Sequence, residues 1–248
     1  YIDIAGRVPT YEEWKTFIKR PDRKKLIEDL QNSKGYTESM FNFYADLLRI
    51  KRRLSNNIDG DTYITWVKQE IENNTPYDEF IKKILTAEGN IWENPEVGYF
   101  LRDEGMLLDN VSNTFQAFAG MNISCAQCHD HPFDDWTQMD YYNMTAFFTQ
   151  LNTRGKKEDR KEFQRLRKEA EELDKSGKQK GSTNRIGQFY RHGYQHTIVQ
   201  DQDKKLKLPD DYKYRDAEPG EVVKAETAVG DRVKEKRKRE GLRESFAN

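Results

Sequence analysis

The chain has 248 residues, 35% hydrophobic and 12% aromatic, enough to bury the core of one large domain or two small ones. Charged residues reach 34%, but 42 Lys+Arg against 43 Asp+Glu leave a net charge of −1, so no overall field draws in a polyanion and nucleic-acid binding is disfavoured. No apolar run approaches the roughly 18 to 20 residues that span a bilayer, and the only two cysteines, Cys125 and Cys128, lie too close together to staple distant parts of the chain.

The N-terminus lacks the basic-then-apolar pattern of a signal peptide, and Tyr1 to Gly6 read like the middle of an element, so the sequence is expected to be a piece of a longer chain. Thr10 with Glu13 three residues on predicts a capping box opening a helix through Trp14, Phe17 and Ile18. Pro21 then starts a helix through Leu26, Ile27 and Leu30 that Gly35 stops. Thr37 caps a longer one carrying Met40, Phe41, Tyr44, Leu47, Leu48 and Ile50. After a loop from Ser55 to Gly60, the sets Tyr63, Trp66, Val67, Ile71 and Tyr77, Phe80, Ile81, Ile84, Leu85 repeat the helical period and read as core stripes. Val111, Phe115, Phe118 and Ala119 form another stripe that ends at Gly120. Thr137 with Asp140 caps a helix through Tyr141, Met144, Phe147, Phe148 and Leu151.

Residues 156–180 alternate in charge, with only Phe163, Leu166, Ala170 and Leu173 marking a narrow seam, and predict a solvent-facing helical arm or hairpin dispensable for the rest of the fold. Residues 181–230 change to Gly, Pro, Tyr and Asp with short alternations such as Ile198, Val199, and read as an irregular or small-β segment packing back on the domain. Residues 231–248 are basic and poor in apolar side chains, a linker in this reading. The expected fold is therefore mainly α: a helical domain over 1–155, a charged helical insertion, and the two trailing segments.

Between the stripe ending at Gly120 and the helix capped by Thr137 stands Cys125-Ala126-Gln127-Cys128-His129. C-x-x-C-H is the attachment signature of c-type haem: two thiols at this separation reach two vinyl groups on one side of a porphyrin, and the next residue's imidazole reaches the iron. Phe133, Trp136, Tyr141, Tyr142, Phe147 and Phe148 follow closely, and Phe133, Trp136 and Tyr141 are the candidates to line such a cofactor. Two other readings of the cysteines stand beside this one. Cys125, Cys128 and His131, with His129 or a remote ligand, could hold zinc as a structural staple. A thioredoxin-like redox pair would want a preceding strand, whereas a helix precedes this motif.

For the second axial position of a haem, His192 and His196, spaced i, i+4 in an aromatic segment, are the leading candidate iron ligands beside His129. Met121, Met139 and Met144 are the alternatives, and His131 is better placed to orient the loop. The leading functional expectation is an electron-transfer module with one covalent haem, since no set of acid, base and nucleophile accompanies the cofactor. The alternative is a haem enzyme or oxidase unit with an open axial site.

The run from Cys125 to Asp134, continued by Trp136, Gln138, Asp140, Tyr141, Tyr142, Ala146, Phe147 and Phe148, resembles the planctomycete-type cytochrome-like domain family of large secreted bacterial proteins. The resemblance extends to Tyr1–Trp14, to Thr75, Pro76, Tyr77, Asp78 and Phe80, and to Leu208, Pro209, Asp211, Tyr212, Pro219, Gly220 and Val223. It implies haem on Cys125, Cys128 and His129, a periplasmic or otherwise extracytoplasmic location, and a further domain of the same polypeptide continuing near Arg243 to Phe246. A redox partner protein would follow from the same role.

Overall fold

A computed structural model describes residues 1–54, 59–103, 106–153, 157–193, 197–200, 204–226, 243 and 246. The predicted mainly α architecture is the one found. After a short α1 (Ile2–Ala5), the predicted capping box opens α2 (Tyr11–Lys19), with Thr10 and Glu13 each satisfying the other's amide. The stripe on α2 does not enter the core: Trp14 and Ile18 stay exposed, and Trp14 stacks on Tyr11. Asp22, not Pro21, caps α3 (Arg23–Gln31).

Ser33 caps α4 (Lys34–Leu47), so Gly35, expected to stop a helix, lies in its first turn, and Thr37, expected as a cap, is buried at the end of that turn. The reason is tertiary. A Cβ on Gly35 would come within 3.1 Å of the Ala5 Cβ, so a side-chain-free position is what lets α1 pack on α4.

The stripes of α5 (Asp61–Glu72) and α6 (Tyr77–Thr86) bury the residues their period selects, including Trp66, Val67, Phe80 and Ile84. Trp66 stacks on Phe80 at 5.4 Å and on Tyr63 at 6.0 Å between ring centres. Beyond β1 (Gly89–Asn90) and a 3-10 turn at Pro95–Val97 come α7 (Gly98–Leu101) and α8 (Leu107–Ala119). Gly120 ends α8 at φ +66, a left-handed terminus that glycine adopts without strain.

Between α7 and α8 the chain buries a charge pair. The Arg102 guanidinium donates to both carboxylate oxygens of Asp103 and to the Leu48 carbonyl, and Asn110 donates to Asp103 at 2.9 Å. Burial alone would raise the Asp103 carboxyl, but Arg102 and Asn110 hold it below the usual carboxylate range. The pair thus ties α4 to the start of α8 from inside the core.

After α9 (Gln138–Ala146), β2 (Leu151–Asn152) and the arm, β3 (Thr197–Gln200) completes a small antiparallel sheet in the order β1-β3-β2. The arm is α10 (Lys157–Lys175), and it does not end where its charges do. It folds back on α11 (Ser182–Gly193), which lies in the segment read as irregular or small-β. Two contacts make this helix. Asp174 accepts the Ser182 and Thr183 amides, the Thr183 hydroxyl first among the groups that hold its carboxyl down to about 2, and Phe163 stacks on Tyr190 at 3.9 Å. The ion pairs along α10, such as Arg167 to Glu171, are exposed and add little.

Residues 204–226 form an irregular strap that packs on the core, burying Leu208 and Tyr212. Of the stretch read as a linker, Arg243 is buried and Phe246 packs partly buried against the core. Arg243 is 1% exposed, donates to the Leu85 and Ala87 carbonyls at 2.9 Å each and lies over the Phe100 ring, while Phe246 packs among Phe115, Phe147 and Phe148.

Removing Arg102 would leave the Asp103 carboxylate buried without its countercharge. Arg102→Ala should therefore cost about 3 to 5 kcal/mol, read by urea unfolding of the full chain. Asn152 pairs with Val199, so the two ends of the insertion already lie side by side. Replacing residues 154–196 with a short Gly/Ser linker should keep the fold and shift the thermal midpoint by only a few degrees, about the size expected for loss of exposed pairs. Unfolding of that variant would make the hairpin part of the core.

Candidate functional site

The Cys-x-x-Cys-His run sits between α8 and α9, as expected, on a helical turn that begins as a 3-10 element at Ser124–Gln127. Ile123 and Ala126 are fully buried and fasten the turn to the core. The Cys128 and His129 amides both donate to the Cys125 carbonyl, at 3.3 and 3.4 Å. Positions i, i+3 and i+4 of such a turn share a face. With Ala126 turned inward that face is the outer one: Cys125 is half-buried, Cys128 and His129 are exposed, and both thiols are free.

The contact His129 makes selects the tautomer of its neutral ring. Its Nδ1 lies 2.7 Å from the Asp130 carbonyl oxygen, and a carbonyl can only accept, so in the neutral ring Nδ1 carries the proton and Nε2 keeps its lone pair for an outside partner. Asp130 is itself clamped. Its N–H donates to the Tyr214 hydroxyl (2.7 Å), and its carboxylate accepts the Gln138 N–H (2.9 Å). The following amide, of His131, donates to the Trp136 carbonyl at 2.7 Å and closes the loop. The buried Gln138 also sends its side-chain amide back to the Gln127 carbonyl (3.1 Å), so the first residue of α9 grips the turn on both sides of His129. The Thr137–Asp140 capping box holds that end of α9 in place.

Of the aromatic residues expected at a cofactor, Phe133 is 95% exposed at the tip of this loop. Trp136 is half-buried with its edge toward Phe115 at 6.2 Å. Tyr141 is ordinary core: fully buried, its hydroxyl donates to the Leu108 carbonyl (2.7 Å) and meets Ser112 (3.0 Å), and burial pushes the phenol up to about 12. His131 orients the loop, its Nδ1 accepting the Phe133 N–H at 3.3 Å. Met144 is buried and Met121 and Met139 pack partly buried against the core. His192 lies near the end of α11 with its side chain outside the described ones, and His196 lies outside the described residues. Among the described residues no three His, Cys, Asp or Glu side chains gather as a metal cage.

The sequence reading placed Asp130 and Gln138 in the run that carries the resemblance without giving them a role, and it missed Tyr214; all three hold the motif. It also missed a groove of about 350 Å³ beside the turn, lined by Met106, Leu107, Leu108, Gln127, Tyr142 and Leu206 among others. One signal was readable. Between Arg102 and Arg154 there is no lysine or arginine, while Asp109, Asp130, Asp134, Asp135 and Asp140 fall in that stretch. The turn thus lies in an anionic stretch of a nearly neutral sequence, and the strap brings Lys207 to the groove beside it. Burial, then Cys128 and Asp211, push the Tyr142 phenol up, and burial with Asp216 and Asp130 does the same to Tyr212.

Fold and site together define a mainly α protein that presents a rigid, outward-facing Cys-x-x-Cys-His turn. The chain belongs to the PSCyt2 family, described as a protein of unknown function (DUF1549), whose model matches residues 1–153. The matched part holds the motif, and the strap that supplies Tyr214 lies beyond it. No curated protein and no solved structure matches the chain. Among the described residues no helix is long and apolar enough to cross a membrane.

Since Tyr141 serves packing, Tyr141→Phe should cost about 1 kcal/mol of stability in urea unfolding and leave the reactivity of both thiols toward an alkylating reagent unchanged.

Proposed function

We propose that this chain is an extracytoplasmic c-type haem domain that passes electrons within a larger protein. The observation that supports it best is the His129 ring: its Nδ1 proton is given to the Asp130 carbonyl, which leaves Nε2 as a ligand atom on the same outer face as two free thiols. A backbone partner on one ring nitrogen raises the basicity of the other and fixes its direction, as a metal ligand requires.

The residues present fit the group. Cys125 and Cys128 would hold it through thioethers and His129 through Nε2, with Phe133 as an apolar side chain available to cover it. The haem, when bound, supplies a one-electron couple whose potential depends on its axial ligands and surroundings. Everything else is the work of the chain. Ala126 and Ile123 anchor the turn so that the two cysteines keep their spacing, and Gln138 and Asp130 keep the imidazole from rotating away. Attachment by two covalent bonds needs no deep pocket, which agrees with the exposure of Cys128 and His129. A location outside the cytoplasm follows from that chemistry, since c-type attachment takes place there.

The reading separates attachment from ligation. In a host competent for cytochrome c maturation, Cys125→Ala with Cys128→Ala should abolish haem retained on a denaturing gel. His129→Ala should retain haem while losing the low-spin spectrum. An unchanged spectrum in His129→Ala, or stoichiometric zinc with no haem in the unmodified chain, would contradict the proposal.

A further inference from the structure

His129 is held by a tyrosine that is 85 positions away in the sequence and outside the family-matched residues. The peptide joining His129 to Asp130 donates its N–H to the Tyr214 hydroxyl at 2.7 Å. On the far side of Asp130 the next peptide is held by the bond from the His131 amide to the Trp136 carbonyl. Asp130 therefore has both flanking peptide planes fixed, and its carbonyl, which takes the Nδ1 proton of His129, cannot swing away while both bonds stand. The carboxylate of Asp130 adds a third tether, to the Gln138 amide that opens α9. Of the three, only Tyr214 comes from the strap of residues 204–226.

Nothing in packing alone demands a hydroxyl at this position. Tyr214 lies partly buried against the core, its ring edge-on to Tyr212 at 5.6 Å between centres, and phenylalanine would preserve those contacts. What phenylalanine would remove is the acceptor for the Asp130 amide. Tyr212 offers the natural comparison: it is in the same strap and also bonded through its hydroxyl, but to Asp216 (2.7 Å) rather than to the motif loop.

We propose that Tyr214 is a positioning residue for His129, fixing the ring as the Nδ1–H tautomer with Nε2 free by holding the His129–Asp130 peptide. The strap is then part of the site, and the family-matched segment by itself has an incompletely oriented histidine. This rests on the reading of His129 as an axial ligand for its purpose, but the positioning can be measured without any haem.

The experiment uses the full chain with 15N-labelled histidine, its cysteines reduced and haem-free, and reads the ring-nitrogen shifts of His129 at a pH where the imidazole is neutral. In the unmodified chain His129 should be the Nδ1–H tautomer, and the Asp130 amide should exchange slowly with solvent. Tyr214→Phe should shift the tautomer ratio toward Nε2–H by about fivefold, the effect of one hydrogen bond of ordinary strength. Tyr212→Phe should leave the ratio unchanged, although it too loses a hydroxyl. An unmodified chain with His129 as Nε2–H, or with a fast-exchanging Asp130 amide, would overturn the proposal without any variant. So would equal shifts in the two variants, or none in Tyr214→Phe. Haem staining of the matured chain tests the other reading separately: a chain with the Nδ1–H tautomer that retains no haem contradicts the haem domain and not the positioning.

Discussion

The site depends on how Asp130 is bonded. Its carbonyl takes the imidazole proton of His129, its N–H goes to Tyr214 and its carboxylate takes the first amide of α9. These three bonds join a turn, a helix and a strap, the last of them more than 80 positions away in the sequence. A histidine on an exposed turn would otherwise lose its orientation to solvent, because ordering a free side chain costs entropy that no burial here offsets. The hydrogen bonds substitute for burial: the ring is aimed while remaining accessible.

Behind this clamp the core is aromatic and tightly divided from the site. Phe115, Phe147 and Phe148 gather around Phe246, Phe100 lies against Phe148, and Trp136 reaches from the motif loop to Phe115. The site is therefore seated on a close-packed part of the core, and close-packed interiors transmit rather than absorb small displacements. The charged hairpin of α10 and α11 stands apart from that arrangement, inserted where β2 and β3 pair side by side.

Much of this was legible in the sequence. The periods around Trp66, Phe80 and Phe115 selected the buried faces of their helices, and Thr10–Glu13 and Thr137–Asp140 marked two helix starts, because both signals are local. Gly35 misled because its absent side chain serves α1 rather than a helix end, and α11 was missed because its cap, Asp174, lies on the preceding helix. The packing of Arg243 and Phe246 was hidden for a related reason: a basic, apolar-poor stretch gives no periodic signal that two of its residues pack against the core. At the site, Cys125, Cys128 and His129 were readable from spacing alone. Tyr214 and Gln138 were not, since their roles exist only once the chain has folded. Tyr141 was assigned to the cofactor on proximity in sequence, and its hydroxyl turned out to serve α8.

The most direct test of the haem reading is the intact mass of the full chain after maturation in a c-type-competent host, measured following denaturation and thiol alkylation. The account gives one species, heavier than the polypeptide by a single haem, with neither cysteine alkylated. A chain at its polypeptide mass with both Cys125 and Cys128 alkylated would contradict it.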